Sequence, residues 1–199
     1  MVIHPGEPAV AKDGLREALL LRRRSRHTSE RAAAADALAT ALLDGLRGVG
    51  TLAAFVPDPS EPGWGRLPQA YPGLGARVLL PVIPTAGRIL DWAAYSGELE
   101  PGRYGLSHPP GPRLGPLAIS AADAVVVPAL AVDRDGFRLG RGGGYYDRAL
   151  VHARPDAVLV TVVFDDEQVD ALPREVHDRP VTAVVTPSGG WVDLAPPAG

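Results

Sequence analysis

After residue 50 the chain carries six short runs of almost unbroken apolar residues, and no other feature restricts its fold so sharply. They are TLAAFV (51–56), RVLLPVI (77–83), ILDWAAY (89–95), AVVVPAL (124–130), AVLVTVVF (157–164) and VTAVV (181–185). A strand with one wet face alternates apolar and polar residues, whereas a strand covered on both faces reads as a continuous apolar run. A sheet sandwiched by helices provides that cover, and helical stretches are expected between some of the runs, at 145–153 and near 166–172. The pattern therefore predicts an α/β chain with a central, largely parallel sheet.

Two helices are expected before the sheet. From Lys12 to Arg26, Leu15, Ala18, Leu19 and Arg22 recur at spacings of three and four. A second helix can be capped by Thr28 or Ser29, carries Glu30 in its first turn and Leu38, Leu42 and Leu46 on one face, and is ended by Gly48 and Gly50. Residues 1–11 read as a loose lead-in, 57–75 and 96–120 as long Pro/Gly-rich loops, and the segment from Pro187 as a frayed tail. We expect one domain over 1–199, its core at about 12–187.

Composition removes several classes of function. A net charge of -3 argues against a general nucleic-acid or anionic-membrane binder. With no cysteine there is no disulfide framework, thiol nucleophile or thiolate metal site. The apolar runs fall short of the roughly 20 residues that span a bilayer, and the first residues hold no apolar signal core, so a cytoplasmic location is expected. The five histidines lack metal-ligand spacing and are expected to be structural or surface residues. Arg22, Arg23, Arg24 and Arg26 are expected to be solvated. Lys12, the only lysine, shares a helix face with Arg16.

The chemistry concentrates in 124–150, AVVVPALAVDRDGFRLGRGGGYYDRAL. A buried strand ends near Leu130, Asp135-Gly136 marks a turn, and Asp133 is expected to order that loop. Gly142, Gly143 and Gly144 then let backbone N–H groups converge without Cβ obstruction. A helix starting just after them would add its free N–H groups and dipole to an anion site. Arg138 and Arg141 can clamp phosphate oxygens, and Asp147 can reach a magnesium ion that bridges them. The motif is neither a Walker loop nor the dinucleotide fingerprint. On spacing alone, a phosphate cradle and a plain glycine-rich turn with solvated arginines both remain open.

The stretch VPALAVDRDGFRLGRGGGYYDR resembles the signature of the 5-formyltetrahydrofolate cyclo-ligase family, also called 5,10-methenyltetrahydrofolate synthetases. AKDGLREALLLRRRS, LAAFVPDPSE, RVLLPVI, LEPGRYGLSHP and ALPREVHDRPVTAVVTP are similar to other family segments and occur in the same order. The resemblance implies a three-layer α/β/α sandwich akin to sugar-phosphate isomerases and CoA transferases. It implies a ligase that closes 5-formyltetrahydrofolate to 5,10-methenyltetrahydrofolate with ATP and Mg²⁺, releasing ADP and phosphate. A non-catalytic ATP- or folate-binding paralogue is the alternative; a monomer is expected.

By the same resemblance, Lys12 and Arg16 contact ATP phosphates. Arg138, Leu139, Gly140, Arg141, Gly142, Gly143, Gly144, Tyr145 and Tyr146 form the nucleotide cradle, with Arg141 and Tyr145 catalytic. Asp147 and Asp178 are the magnesium carboxylates. Phe55, Val56, Glu61, Tyr104 and again Tyr145 meet the folate. The chain departs from the family pattern in Glu61-Pro62-Gly63-Trp64, where an acidic-x-x-Thr continuation is usual, and at His108, where the family often has an acidic or amide residue. Trp64 either stacks on the ligand or covers the core.

Overall fold

The computed structural model describes residues 8–175 and 178–195. Two helices open the chain, α1 (Pro8–Ser25) and α2 (Thr28–Gly45). Strand β1 (Thr51–Ala53) follows, then the short α3 (Leu67–Ala70), β2 (Arg77–Val82) and β3 (Asp91–Ala94). A small hairpin of β4 (Glu100–Pro101) and β5 (Ser107–His108) precedes β6 (Ala124–Pro128), β7 (Ala131–Asp133) and β8 (Arg138–Leu139). Helix α4 (Tyr145–Leu150), β9 (Val158–Val162), β10 (Gln168–Val169), β11 (Ala183–Thr186) and β12 (Gly190–Asp193) complete it.

Seven strands form the main sheet in the order β12-β11-β9-β6-β1-β2-β3. The five inner strands are mutually parallel, and the two edge strands run antiparallel to their neighbours. Both faces are dry. Leu52, Val126, Val160 and Val185 pack with Leu38, Leu42 and Leu46 of α2 and with Leu67 and Tyr71 near α3. Ala53, Val125, Leu159 and Val184 pack against Ile119 and against Ala149 and Leu150 of α4. Neighbouring residues on one strand thus feed opposite cores, which is why these segments contain so few polar residues. The expected α/β architecture is the one observed. A third cluster, built on Leu19, Leu130, Leu139 and Leu172, packs α1 on the three-stranded sheet β10-β7-β8.

Several local expectations need correction. Helix α1 already begins at Pro8, inside the segment read as a loose lead-in; residues 1–7 lie outside the described residues. Helix α2 is capped by neither Thr28 nor Ser29: His27 is the cap, its ring nitrogen accepting from the Ser29 N–H at 3.3 Å. The helix ends at Gly45, before the glycines expected to stop it. No helix spans 166–172; a single 3-10 turn (Asp165–Glu167) leads into β10. The loops at 57–75 and 96–120 contain α3, the β4/β5 hairpin and 3-10 turns. Asp133 does order its loop, its carboxylate accepting from the N–H groups of Asp135, Phe137 and Leu172 at 2.9–3.1 Å.

Arg22 and Arg24 are exposed as expected, but Arg23 is completely buried. Its guanidinium donates to both oxygens of the equally buried Glu167, at 2.7 and 2.8 Å, and to the carbonyl of Ala129 at 2.6 Å. Arg26 is mostly covered, lying over the Phe164 ring at 4.1 Å and pairing with Glu30 and Asp166. A burial so complete requires an acidic partner, and that partner is distant in sequence.

The segment from Pro187 is not simply frayed. Residues 190–193 add β12 to the sheet, and Trp191 lies against the end of α2. There Gly45 is required by close approach, because a Cβ on it would fall inside the Trp191 ring. In α1, by contrast, a Cβ on the exposed Gly14 would meet nothing within 4 Å. The two Gly→Ala substitutions should therefore have opposite signs. Gly14→Ala should raise stability by about 1 kcal/mol through helix propensity. Gly45→Ala should lower it by about 1–2 kcal/mol, since overpacking outweighs the same propensity gain. Thermal melting of the two variants beside the parent checks both signs.

Candidate active site

The order of the parallel strands locates a crevice before any side chain is considered. From β1 the chain moves outward to β2 and β3; from β6 it moves the other way, to β9, β11 and β12. Adjacent β1 and β6 thus lead apart at their carboxyl ends, the place where open α/β sheets bind ligands. A cleft of about 610 Å³ opens there, lined by Phe55 and Val56 after β1 and by Pro128 and Ala129 at the end of β6. That volume is in the range of small-molecule sites.

The loop after β1 is closed by its own carboxylates. Asp58 Oδ1 accepts from the N–H and the hydroxyl of Ser60, each at 2.7 Å. The Glu61 N–H donates to the Asp58 carbonyl, while a Glu61 carboxylate oxygen accepts from the Asp58 N–H, both at 2.9 Å. Opposite stands the glycine loop between β8 and α4. Gly142 and Gly144 have φ of +86° and +67°, conformations that favour glycine. Arg16 fastens this loop to α1, donating to the Gly140 carbonyl at 3.0 Å. The helix that follows has only six residues and no side-chain cap. Its dipole is correspondingly small, so the helix-end anion site expected from the sequence reduces to the glycine backbone and the neighbouring cations.

Each of these cations has an acidic neighbour. Lys12, buried, donates to Glu175 at 2.8 Å with Asp178 3.7 Å away. Arg16 pairs with Asp13 at 2.6 Å. Arg138 donates to the Arg179 carbonyl at 2.7 Å and to Asp147 at 2.5 Å. Burial pulls its guanidinium below the ordinary value, against the pull of Asp147 and Asp178. Arg141 reaches across the cleft to Asp58 and lies 3.1 Å from Glu61. The two carboxyls around Arg141 are driven apart. Burial pushes Glu61 above the usual carboxylate range, and Arg141 only partly opposes it. Burial also acts on Asp58, but there the Ser60 hydrogen bonds and the Arg141 guanidinium outweigh it, so its carboxyl falls below that range.

Tyr145 and Tyr146 open α4 at the cleft wall. Tyr146 packs between the two cores, and its buried hydroxyl has no partner among the described residues. Burial raises that phenol well above its ordinary value. Tyr104, at the tip of the β4/β5 hairpin, is 68% exposed and left-handed at φ 59°. Arg103 covers its ring at 4.8 Å and donates to the carbonyls of Pro84 and Thr85 at 2.8 and 2.7 Å.

All the residues singled out from the sequence for nucleotide, folate and metal lie along this one cleft. Leu139 does so while its side chain is buried in the third cluster. His108 also lines it, 3.5 Å from Glu100. Trp64 is half exposed and outside the lining. Sequence reasoning missed Asp58, Arg103 and Glu175. Only Asp58 left a signal, as the first residue of an Asp-x-Ser turn. Of the five histidines, His4 and His177 lie outside the described residues.

An open α/β sheet with a cation-rich glycine loop at its switch point defines a small-molecule site that suits anionic ligands. The family is fixed by comparison: residues 8–187 match the 5-formyltetrahydrofolate cyclo-ligase family, and the chain belongs to it. It is 47% identical over 193 residues to a Mycolicibacterium smegmatis protein named 5-formyltetrahydrofolate cyclo-ligase, covering 92% of this chain and 97% of that one. An Escherichia coli K12 protein of the same name is 37% identical over 123 residues, 59% of this chain and 66% of that one. The NMR structure of Aquifex aeolicus 5,10-methenyltetrahydrofolate synthetase superposes with a TM-score of 0.73 at 26% identity, over 94% of this chain and 95% of that one. No helix among the described residues is long and apolar enough to cross a membrane.

Proposed function

We propose that the cleft binds 5-formyltetrahydrofolate and ATP side by side and catalyses closure to 5,10-methenyltetrahydrofolate, with release of ADP and phosphate. The observation that carries this reading is the bridge from the glycine loop to the loop after β1, made by Arg141 with Asp58 and Glu61. A residue of the nucleotide cradle there touches the wall assigned to folate, as transfer between two bound substrates requires.

The residues fit the groups they are asked to hold. Gly142, at a positive φ, lies beside the Arg16 guanidinium, a Cβ on it reaching ordinary contact at 3.5 Å, so the glycine backbone and that cation share one wall. Lys12, Arg138 and Arg141 add charge along the same wall. Asp147 and Asp178 would hold Mg²⁺, which when bound neutralises charge on the phosphate oxygens. The described residues contain no group of three or more carboxylates and imidazoles suited to a metal. Mg²⁺ would take one or two carboxylates here and complete its shell with phosphates and water.

The formyl oxygen is a poor leaving group. Transfer of the γ-phosphoryl group to it forms an O–P bond and breaks the bond to ADP. N10 then attacks the formyl carbon and loses its proton, and the C–O bond breaks as phosphate departs. Such a transfer needs alignment and charge neutralisation rather than a protein nucleophile. Arg141 supplies the charge nearest the receiving oxygen, and the ring of Tyr145 confines both substrates.

Incubation with 5-formyltetrahydrofolate, ATP and Mg²⁺ should produce the near-ultraviolet absorption of methenyltetrahydrofolate, and omission of ATP should abolish it. Folded protein that yields no such product with all three present would overturn the assignment.

A further inference from the structure

Arg141 is engaged at one end only. Its Nη2 donates to Asp58, contacts the Ser60 hydroxyl at 3.4 Å and lies 3.1 Å from Glu61. Nε and Nη1 form no hydrogen bond to the described residues, and the side chain is 45% exposed on the cleft. Asp58 is the fixed member of the contact. One of its oxygens is occupied by two hydrogen bonds from Ser60, and its backbone is tied to Glu61 from both sides. Its side chain is only 17% exposed. A long arginine on a glycine-rich loop has many rotamers, and a charge stabilises a transition state only when it is already in place.

We propose that Asp58 is a positioning residue. It anchors Nη2 of the Arg141 guanidinium, so that the group is held in the cleft with the N–H donors of Nε and Nη1 left for the phosphoryl group in transfer. The inference rests on the cyclo-ligase reading and adds a residue outside the glycine loop to it. Asp58 touches neither substrate in this account; it acts through Arg141. It also joins the folate-side loop to the nucleotide-side loop, since the two residues are 83 positions apart.

Asp58→Asn tests this, because the amide oxygen can still accept from Ser60 while the Asp58 charge on Arg141 is removed and only Glu61, 3.1 Å away, remains. Its kcat should fall roughly 10- to 100-fold through misplacement of Arg141. The KM values for both substrates should stay within about threefold, as expected when only a transition-state interaction is lost. The deciding measurement is the double variant. If Asp58 acts through Arg141, adding Asp58→Asn to Arg141→Ala should change kcat by less than about twofold. Asp58→Ser, which preserves the turn with a hydroxyl, should reproduce the Asn result if the Asn variant melts early. Two outcomes would overturn the proposal: an undiminished kcat (accompanied by a fall in the KM for ATP if Asp58 merely competes with phosphate), or a full further loss in the Arg141→Ala background. Absence of turnover in the parent protein would instead remove the cyclo-ligase reading, and this inference with it.

Discussion

Replacement of Arg141 by alanine is expected to lower kcat by about 10²–10³, the range seen when one preorganised donor to a developing charge is removed. The size of the effect follows from position. The guanidinium stands between the loop after β1 and the glycine loop, at the meeting point of the two proposed substrates. The other cations described along the cleft are engaged elsewhere: Arg138 with Asp147 and the Arg179 carbonyl, Arg16 with Gly140 and Asp13, Lys12 with Glu175, and Arg103 with the Pro84 and Thr85 carbonyls. Lysine should be a poor substitute, because an ammonium lacks the rigid fork whose remaining N–H donors stay fixed while one nitrogen holds Asp58. The KM for the folate should change little, since the ground-state formyl oxygen carries no full charge. Steady-state kinetics with each substrate varied in turn would show whether the loss falls on kcat. A rate within about threefold of the parent would exclude Arg141 from the transition state. Arg24→Ala, on the exposed face of α1, provides the control that should leave kcat intact.

The sheet was readable in advance because burial on both faces forces each inner strand into one nearly uniform apolar segment, as in Val125, Val126 and Val127. The glycine loop was readable because few backbones need three glycines beside two arginines. What escaped depends on pairings distant in sequence. Strand β12 is four residues at an edge, two of them exposed, and its place follows from Trp191 meeting Gly45. Asp58 looked like any turn aspartate until the fold set Arg141 beside it. Likewise 165–167 opens like a capped helix, with the Glu167 carboxylate accepting from the Phe164 N–H at 3.0 Å, but stops after a 3-10 turn as Gln168 and Val169 pair with β7, a partner distant in sequence.

The buried pair of Arg23 and Glu167 carries the largest expected effect on stability. Replacing Arg23 with methionine should destabilise the fold by about 3–5 kcal/mol, the usual cost of stranding one member of a buried ion pair. Glu167 would remain fully enclosed with the Phe164 N–H as its remaining hydrogen-bond donor and the Arg26 charge nearby, and the Ala129 carbonyl would lose its donor. In a chain of this size each kcal/mol moves the melting temperature by about 2–4 °C, so a fall of roughly 6–20 °C is expected. Adding Glu167→Gln should restore part of the loss. The amide removes the unpaired charge and keeps an acceptor for Phe164, while methionine fills the space of the guanidinium stem and eliminates an Nη1 that has no acceptor among the described residues. A double variant more stable than Arg23→Met alone would identify the stranded carboxylate as the source of the cost. If the double variant melted lower still, the cost would lie in packing around α1 and the pair's charge would contribute little. Because Arg23 also holds the Ala129 carbonyl at the end of β6, the single variant should weaken substrate binding at temperatures where it is still folded. A wall of the cleft thus depends on an ion pair that lies outside its lining.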